Sequence, residues 1–138
     1  MRFTDTPELA SWRGVVRAFV AENWKPGGPH DELAMHGPNA AAYEEITDKT
    51  QNWLDKLAAN SWIAPAWPKK YGGADMSVLE QFVLNQELHE AGAPTSRQML
   101  NLVGPTIMLH GTDEQKAEHL PPMLRGEVAW CQGFSEPG

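Results

Sequence analysis

The chain has 138 residues, a formal net charge of −7, 41% apolar and 21% charged residues. Those totals suit one globular domain with a sizeable core. The acidic balance argues against nucleic acid or an anionic membrane surface as partner, because phosphates repel it. Cys131 is the single cysteine, so no internal disulfide can form. No apolar run approaches the ~20 residues of a bilayer span, and the first ten residues lack the apolar stretch of a signal peptide. The expected setting is reducing and cytoplasmic.

Thr6-Pro7-Glu8 predicts the start of a first helix: a hydroxyl to cap, a proline suited to the first turn, and an acid at the positive end of the dipole. Leu9, Trp12, Val16, Phe19 and Val20 recur at helical spacing as far as Asn23 or Trp24. Residues 25–38, broken by Pro26, Gly27, Gly28, Pro29, Gly37 and Pro38, predict a loop. A second helix is expected over 39–59, with Tyr43, Ile46, Trp53, Leu54 and Leu57 on its apolar face. The stretch SWIAPAWPKKYGG then has too many breakers for a helix and too many rings for a free linker. It predicts an ordered, packed loop. Within it Lys69-Lys70, the only adjacent basic pair, reads as solvated, and Gly72-Gly73 as a turn.

Ser77-Val78-Leu79-Glu80 has the pattern of a capping box and predicts a third helix, with Leu79, Phe82, Val83 and Leu88 on its apolar side and Gly92 and Pro94 as its stop. A fourth is expected from about Arg97 to Gly111. Its apolar residues are Met99, Leu100, Val103, Ile107 and Leu109, and Pro105 should kink it or mark its first turn. Thr112-Asp113-Glu114-Gln115 is a second capping pattern, opening a fifth helix that Pro121-Pro122 should close or turn. After Gly126 the alternation of Val128, Trp130 and Gln132 predicts a strand. The expected fold class is all-α with one β-strand at the C-terminal end, divided into a helical domain, 1–126, and the start of a β domain, 127–138.

Little in these residues carries chemistry by itself. There is no Gly-x-Gly-x-x-Gly and no Walker loop. The five histidines form no His-Glu-x-x-His motif, and no Glu-x-x-His pair offers a di-iron site, so no metal is expected. Glu87 and Glu90 share a helix and read as solvated. Cys131 has no histidine near it in sequence and reads as packing. No catalytic residue is assigned.

The chain from about residue 62 onward, a little over half of it, resembles the acyl-CoA dehydrogenase family. The motifs that carry the resemblance are the Trp-Pro-x-x-Tyr-Gly-Gly loop from Trp67 to Gly73, the Gly-Thr-x-Glu-Gln-Lys helix start from Gly111 to Lys116, the Leu120-Pro121 turn, Gly126-Glu127, and Ser135-Glu136-Pro137. Residues 62–138 match closely. Residues 1–61 match as two helices of suitable length.

The resemblance implies an N-terminal helical domain that leads into a β-barrel-like middle domain and a C-terminal helical bundle. It implies FAD as cofactor, an acyl-CoA thioester as substrate, α,β-dehydrogenation in fatty acid or lipid metabolism, and a homo- or hetero-oligomer, a tetramer in the full-length family. Carried onto this sequence, Gln132, Phe134 and Ser135 are the expected flavin contacts, and Leu100, Val103 and Gly104 are expected to wall the acyl pocket. The family's Ala-Gly-Ser-Asp segment and its C-terminal domain, which commonly carries the base, are not in this sequence. The chain alone is therefore expected to be inactive. The competing expectation, of another class, is a non-catalytic helical subunit or interaction module derived from that family.

Overall fold

Three hydroxyl side chains set where three of the helices begin. A computed structural model describes residues 4–25, 48–94, 98–125, 127, 128 and 130. Helix α1 spans Pro7–Asn23, and the Thr6 hydroxyl accepts from the Leu9 amide at 3.3 Å. Helix α2 is described over Asp48–Ala59; the earlier part of the expected second helix lies outside the described residues. Helix α3, Val78–Glu90, opens on a complete capping box, in which the Glu80 carboxylate accepts the Ser77 N–H at 2.8 Å. Helix α4 spans Gln98–His110 and α5 Asp113–Leu124, the latter opened by a second box from Thr112 and Gln115. Each box satisfies amides that a helix start leaves without partners.

Helix α1 packs on α3, and α4 packs on α5. Between the two pairs lies the loop 61–76, as packed as its ring content predicts: Trp62, Ile63, Ala64 and Trp67 are all buried. Its backbone closes on itself. The amides of Trp67, Asp75 and Met76 donate to the carbonyls of Ala64, Trp67 and Pro65 at 3.0, 3.0 and 2.9 Å. Gly73 permits the tightest point, since a Cβ there would come 2.1 Å from the Trp67 carbonyl oxygen.

Rings join the helices. Trp12 meets Trp62 edge-on at 5.3 Å, Trp62 meets Phe19 at 4.7 Å, Phe19 meets Trp53 at 5.6 Å, and Trp53 meets Trp24 at 5.4 Å. Such pairs contribute about 0.5–1.5 kcal/mol each beyond their burial. The indole N–H groups of Trp12 and Trp53 donate to the carbonyls of Glu80 and Pro94 at 3.0 and 2.9 Å. One string of rings therefore holds α1, α2, the loop, the first turn of α3 and the segment that follows α3.

Two expectations need correction. Pro121 and Pro122 do not close α5, which runs through them to Leu124. Pro105 lies inside α4 rather than in its first turn, the placement that the alternative of a kink requires. A proline in a helix strips the donor from the carbonyl four residues earlier. Here those carbonyls belong to Asn101, Ala117 and Glu118, all exposed, so water can replace the lost bonds. The expected strand is not seen at residues 127, 128 and 130, and its remainder lies outside the described residues.

The second correction concerns α3. Its buried face is Val83, Leu84, Glu87 and Leu88, while Leu79 and Phe82, expected inside, are half exposed. Glu87 is only 5% exposed. Its two oxygens accept from Arg13 Nη1 at 2.5 Å and Arg17 Nε at 2.6 Å, and Arg13 in turn makes two bonds to Asp5, at 2.6 and 2.9 Å. Burial pushes the Glu87 carboxyl up, but the bonds from Arg17 and Arg13 outweigh it and hold the group below the usual 4.5 of a glutamate. A buried carboxylate needs this pairing, and its partners lie on another helix, where no pattern within α3 could show them.

Glu87→Gln should destabilise the chain by an amount at the lower end of about 3–5 kcal/mol, because most of the Arg17 guanidinium remains in solvent. The folded-state pKa is depressed, so the stabilisation is complete above pH 4.5 and is lost as pH falls through the folded value. Urea unfolding as a function of pH checks both points: the variant should show the lower midpoint at neutral pH and a shallower fall in acid.

Candidate functional site

Helix α4 is the described element on which a site was expected. Leu100 is 5% exposed and belongs to the main core, and Val103 packs against that core while partly exposed. Gly104 is buried beneath Trp67: a Cβ on Gly104 would lie 1.8 Å from the indole Cζ2. The indole thus rests directly on the helix backbone, and only glycine allows it. All three residues expected to line a pocket take part in fixing α4 against the loop and core.

The other side of α4 presents apolar surface. Leu102 and Leu109, one heptad apart and so on a common face, are 47% and 76% exposed. Leu102 was not singled out by the sequence; the available signal was its spacing from Leu109. Between them Thr106 donates its hydroxyl back to the Leu102 carbonyl at 2.8 Å, which satisfies it within the helix.

From α5 the chain returns toward the core. Arg125 makes two bonds to Glu127, at 2.6 and 2.9 Å. Trp130 packs against the core with its ring edge-on to His119 at 5.5 Å. Its indole Nε1 is buried without a hydrogen-bond partner among the described residues. Gln132, Phe134 and Ser135, the expected flavin contacts, lie outside the described residues.

Glu87 is unsuited to act as a base: both oxygens are committed to arginines, and it is held ionised below the usual glutamate range. Among the described residues no three His, Cys, Asp or Glu side chains approach closely enough to hold a metal ion. No helix among them is long and apolar enough to cross a membrane. What this part of the molecule offers chemically is a rigid helical wall with an apolar outer face.

The sequence model of the acyl-CoA dehydrogenase N-terminal domain matches residues 6–127. The chain belongs to the acyl-CoA dehydrogenase family. Acyl-CoA dehydrogenase FadE26 of Mycobacterium tuberculosis is 32% identical over 138 residues, which is all of this chain and 33% of the relative. Acyl-CoA dehydrogenase FadE34 of the same organism is 46% identical over 129 residues, 91% of this chain and 17% of the relative. Among solved structures, the ChsE4–ChsE5 complex from Mycobacterium tuberculosis aligns over all of this chain and 33% of its own, with a TM-score of 0.71 at 33% identity. A steroid acyl-CoA dehydrogenase described as Tcur3481–Tcur3483 aligns with a TM-score of 0.73 at 32% identity, over all of this chain and 34% of that one. The chain thus spans about a third of the length of the first of these dehydrogenases.

Two glycine substitutions separate close approach from mere helix location. Gly104→Ala should destabilise the domain by at least about 1–3 kcal/mol, since the indole and its loop must move. Gly14→Ala in α1, where a Cβ meets nothing within 4 Å, should stabilise it by about 0.5–1 kcal/mol. Thermal or urea unfolding of the two variants should shift in opposite directions.

Proposed function

We propose that this chain is the helical N-terminal part of an FAD-dependent enzyme that introduces a double bond between the α and β carbons of an acyl-CoA thioester. The observation that carries the reading is the family match over residues 6–127, continued in sequence by Ser135-Glu136-Pro137. FAD, when bound, supplies the hydride acceptor. In this reading Ser135 offers a hydroxyl and a backbone N–H to the edge of the isoalloxazine, donors that favour negative charge on the reduced ring. Phe134 supports the ring plane, and Gln132 contributes a further polar contact. The segment of α4 carrying Leu100, Val103 and Gly104 walls the acyl pocket. Apolar side chains there suit a hydrocarbon tail, each buried methylene contributing about 0.8 kcal/mol.

No residue of this chain is proposed as the catalytic base. The assembly we propose is an oligomer, in keeping with one structural neighbour described as the ChsE4–ChsE5 complex and another described by the paired name Tcur3481–Tcur3483. One of them is described as a steroid enzyme, so a steroid-derived thioester is the first substrate to try. Straight-chain and aryl thioesters complete the panel, because relatives described as a short-chain-specific dehydrogenase and a 3-(aryl)acrylate reductase also align along the chain.

The 138-residue chain by itself should bind FAD weakly or not at all, since it spans about a third of the first relative; equilibrium dialysis against FAD checks this, and a tight one-to-one complex would contradict it. Expressed as part of a dehydrogenase of the relatives' length, it should yield a yellow protein whose flavin is bleached anaerobically by at least one thioester of the panel. Ser135→Ala in that protein should weaken flavin binding by up to about tenfold, the loss of the hydroxyl's hydrogen bond while the backbone N–H remains. A colourless protein, or a flavin that no acyl-CoA reduces, would sink the reading.

A further inference from the structure

Among the described residues, a further feature with the makings of a binding site is a cleft of about 560 Å³ between the end of α2, the 69–72 turn and one face of α5. Residues Asp113, Lys116, Ala117, Leu120, Pro121 and Leu124 recur at helical spacing along that face. None of Leu100, Val103 and Gly104 lines it. Its volume falls within the range of about 300–1,000 Å³ usual for small-molecule pockets.

The cleft has two chemistries. Its floor is apolar: Leu120 is fully buried, and Ala58, Pro121, Leu124 and Tyr71 surround it. Its rim carries three cations, Lys70, Lys116 and Arg125, against a single lining acid, Asp113. In a chain with net charge −7 such a local excess is unusual. Lys116 lays its stem along the cleft, with its side chain only 19% exposed, and its ammonium is tied loosely to Asp113 at 3.8 Å. The ammonium of Lys70 sits 4.7 Å from the centre of the Tyr71 ring, a contact that positions it without neutralising it. Arg125 spends Nε and Nη2 on Glu127, which leaves Nη1 without a partner among the described residues.

The wall is stiff. Gly72 has φ +90°, and a Cβ on it would come 2.7 Å from Leu124 Cδ1, so the turn is seated directly against α5. An apolar floor under a cationic rim suits a small amphipathic anion: a hydrocarbon body to cover Ala58, Tyr71, Pro121 and Leu124, which keep accessible surface above the buried Leu120, and one carboxylate or phosphate head among the lysines.

We propose that the cleft between α2, the 69–72 turn and α5 binds a small alkyl or aryl anion. Octanoate and octyl phosphate serve as probes for the two head groups, and octanol as the uncharged control, in titrations of the isotope-labelled 138-residue chain followed by amide NMR. At least one anion should give saturable shifts centred on Lys70, Gly72, Lys116, Ala117 and Leu124, and should bind about five- to tenfold tighter than octanol. Whichever anion does so identifies the head group. Lys70→Met with Lys116→Met keeps the stems and should erase the preference for the anion. Ala117→Phe, on the exposed side of α5, should fill the cleft and abolish binding of the anion and the alcohol alike, with the remaining amide spectrum unchanged. Absence of saturable shifts for both anions, shifts centred elsewhere, equal affinity for octanol, or full anion binding by the double lysine variant would each overturn the proposal.

Discussion

Two indoles of one loop hold the helical assembly together. Helix α1 packs with α3, and α4 with α5, and the loop 61–76 supplies the connection between the pairs. Trp62 enters the first pair through Trp12 and Phe19. Trp67 enters the second by lying on the bare backbone of Gly104. Both rings must arrive together, which requires the loop to be rigid, and its internal hydrogen bonds supply that rigidity. At Gly73 two stretches of backbone, and at Gly104 backbone and ring, approach too closely for any side chain. This explains how a segment whose regular structure is a single 3-10 turn, Lys69–Tyr71, can bury Trp62, Ile63, Ala64 and Trp67.

The ion network on α1 and α3 has a different task. Apolar contacts between two helices tolerate small rotations, because dispersion is not directional. A carboxylate gripped by two arginines does not. Glu87 with Arg13 and Arg17 fixes the rotation of α3 against α1, and that rotation turns Leu79 and Phe82 partly to solvent.

Local signals were fully legible in the sequence. Thr6, Ser77 and Thr112 announced three helix starts because a cap acts within three residues of itself. The loop's rings announced its burial. What was not legible depends on partners distant in sequence. Glu87 resembles any surface glutamate until two arginines some seventy positions away are brought to it. Gly104 resembles an ordinary helix glycine until Trp67 lies on it. Pro121-Pro122 read as a stop, because the exposure of the carbonyls they deprive is a tertiary fact. The family was legible from motif order, whereas the side chains meeting cofactor or substrate are not determined by the helical fold alone.

That proline pair has a consequence for how the chain leaves the domain. A helix end usually frays, because its last carbonyls are free to trade partners with water. In α5 the pyrrolidine rings of Pro121 and Pro122 hold φ by covalent geometry, and Arg125 still closes on Pro121 at 3.2 Å. The final turn is kept helical by ring closure as much as by hydrogen bonding, and the unfolded chain has less freedom there to regain. The direction in which the backbone departs toward Trp130 is thereby aimed before any following structure is reached.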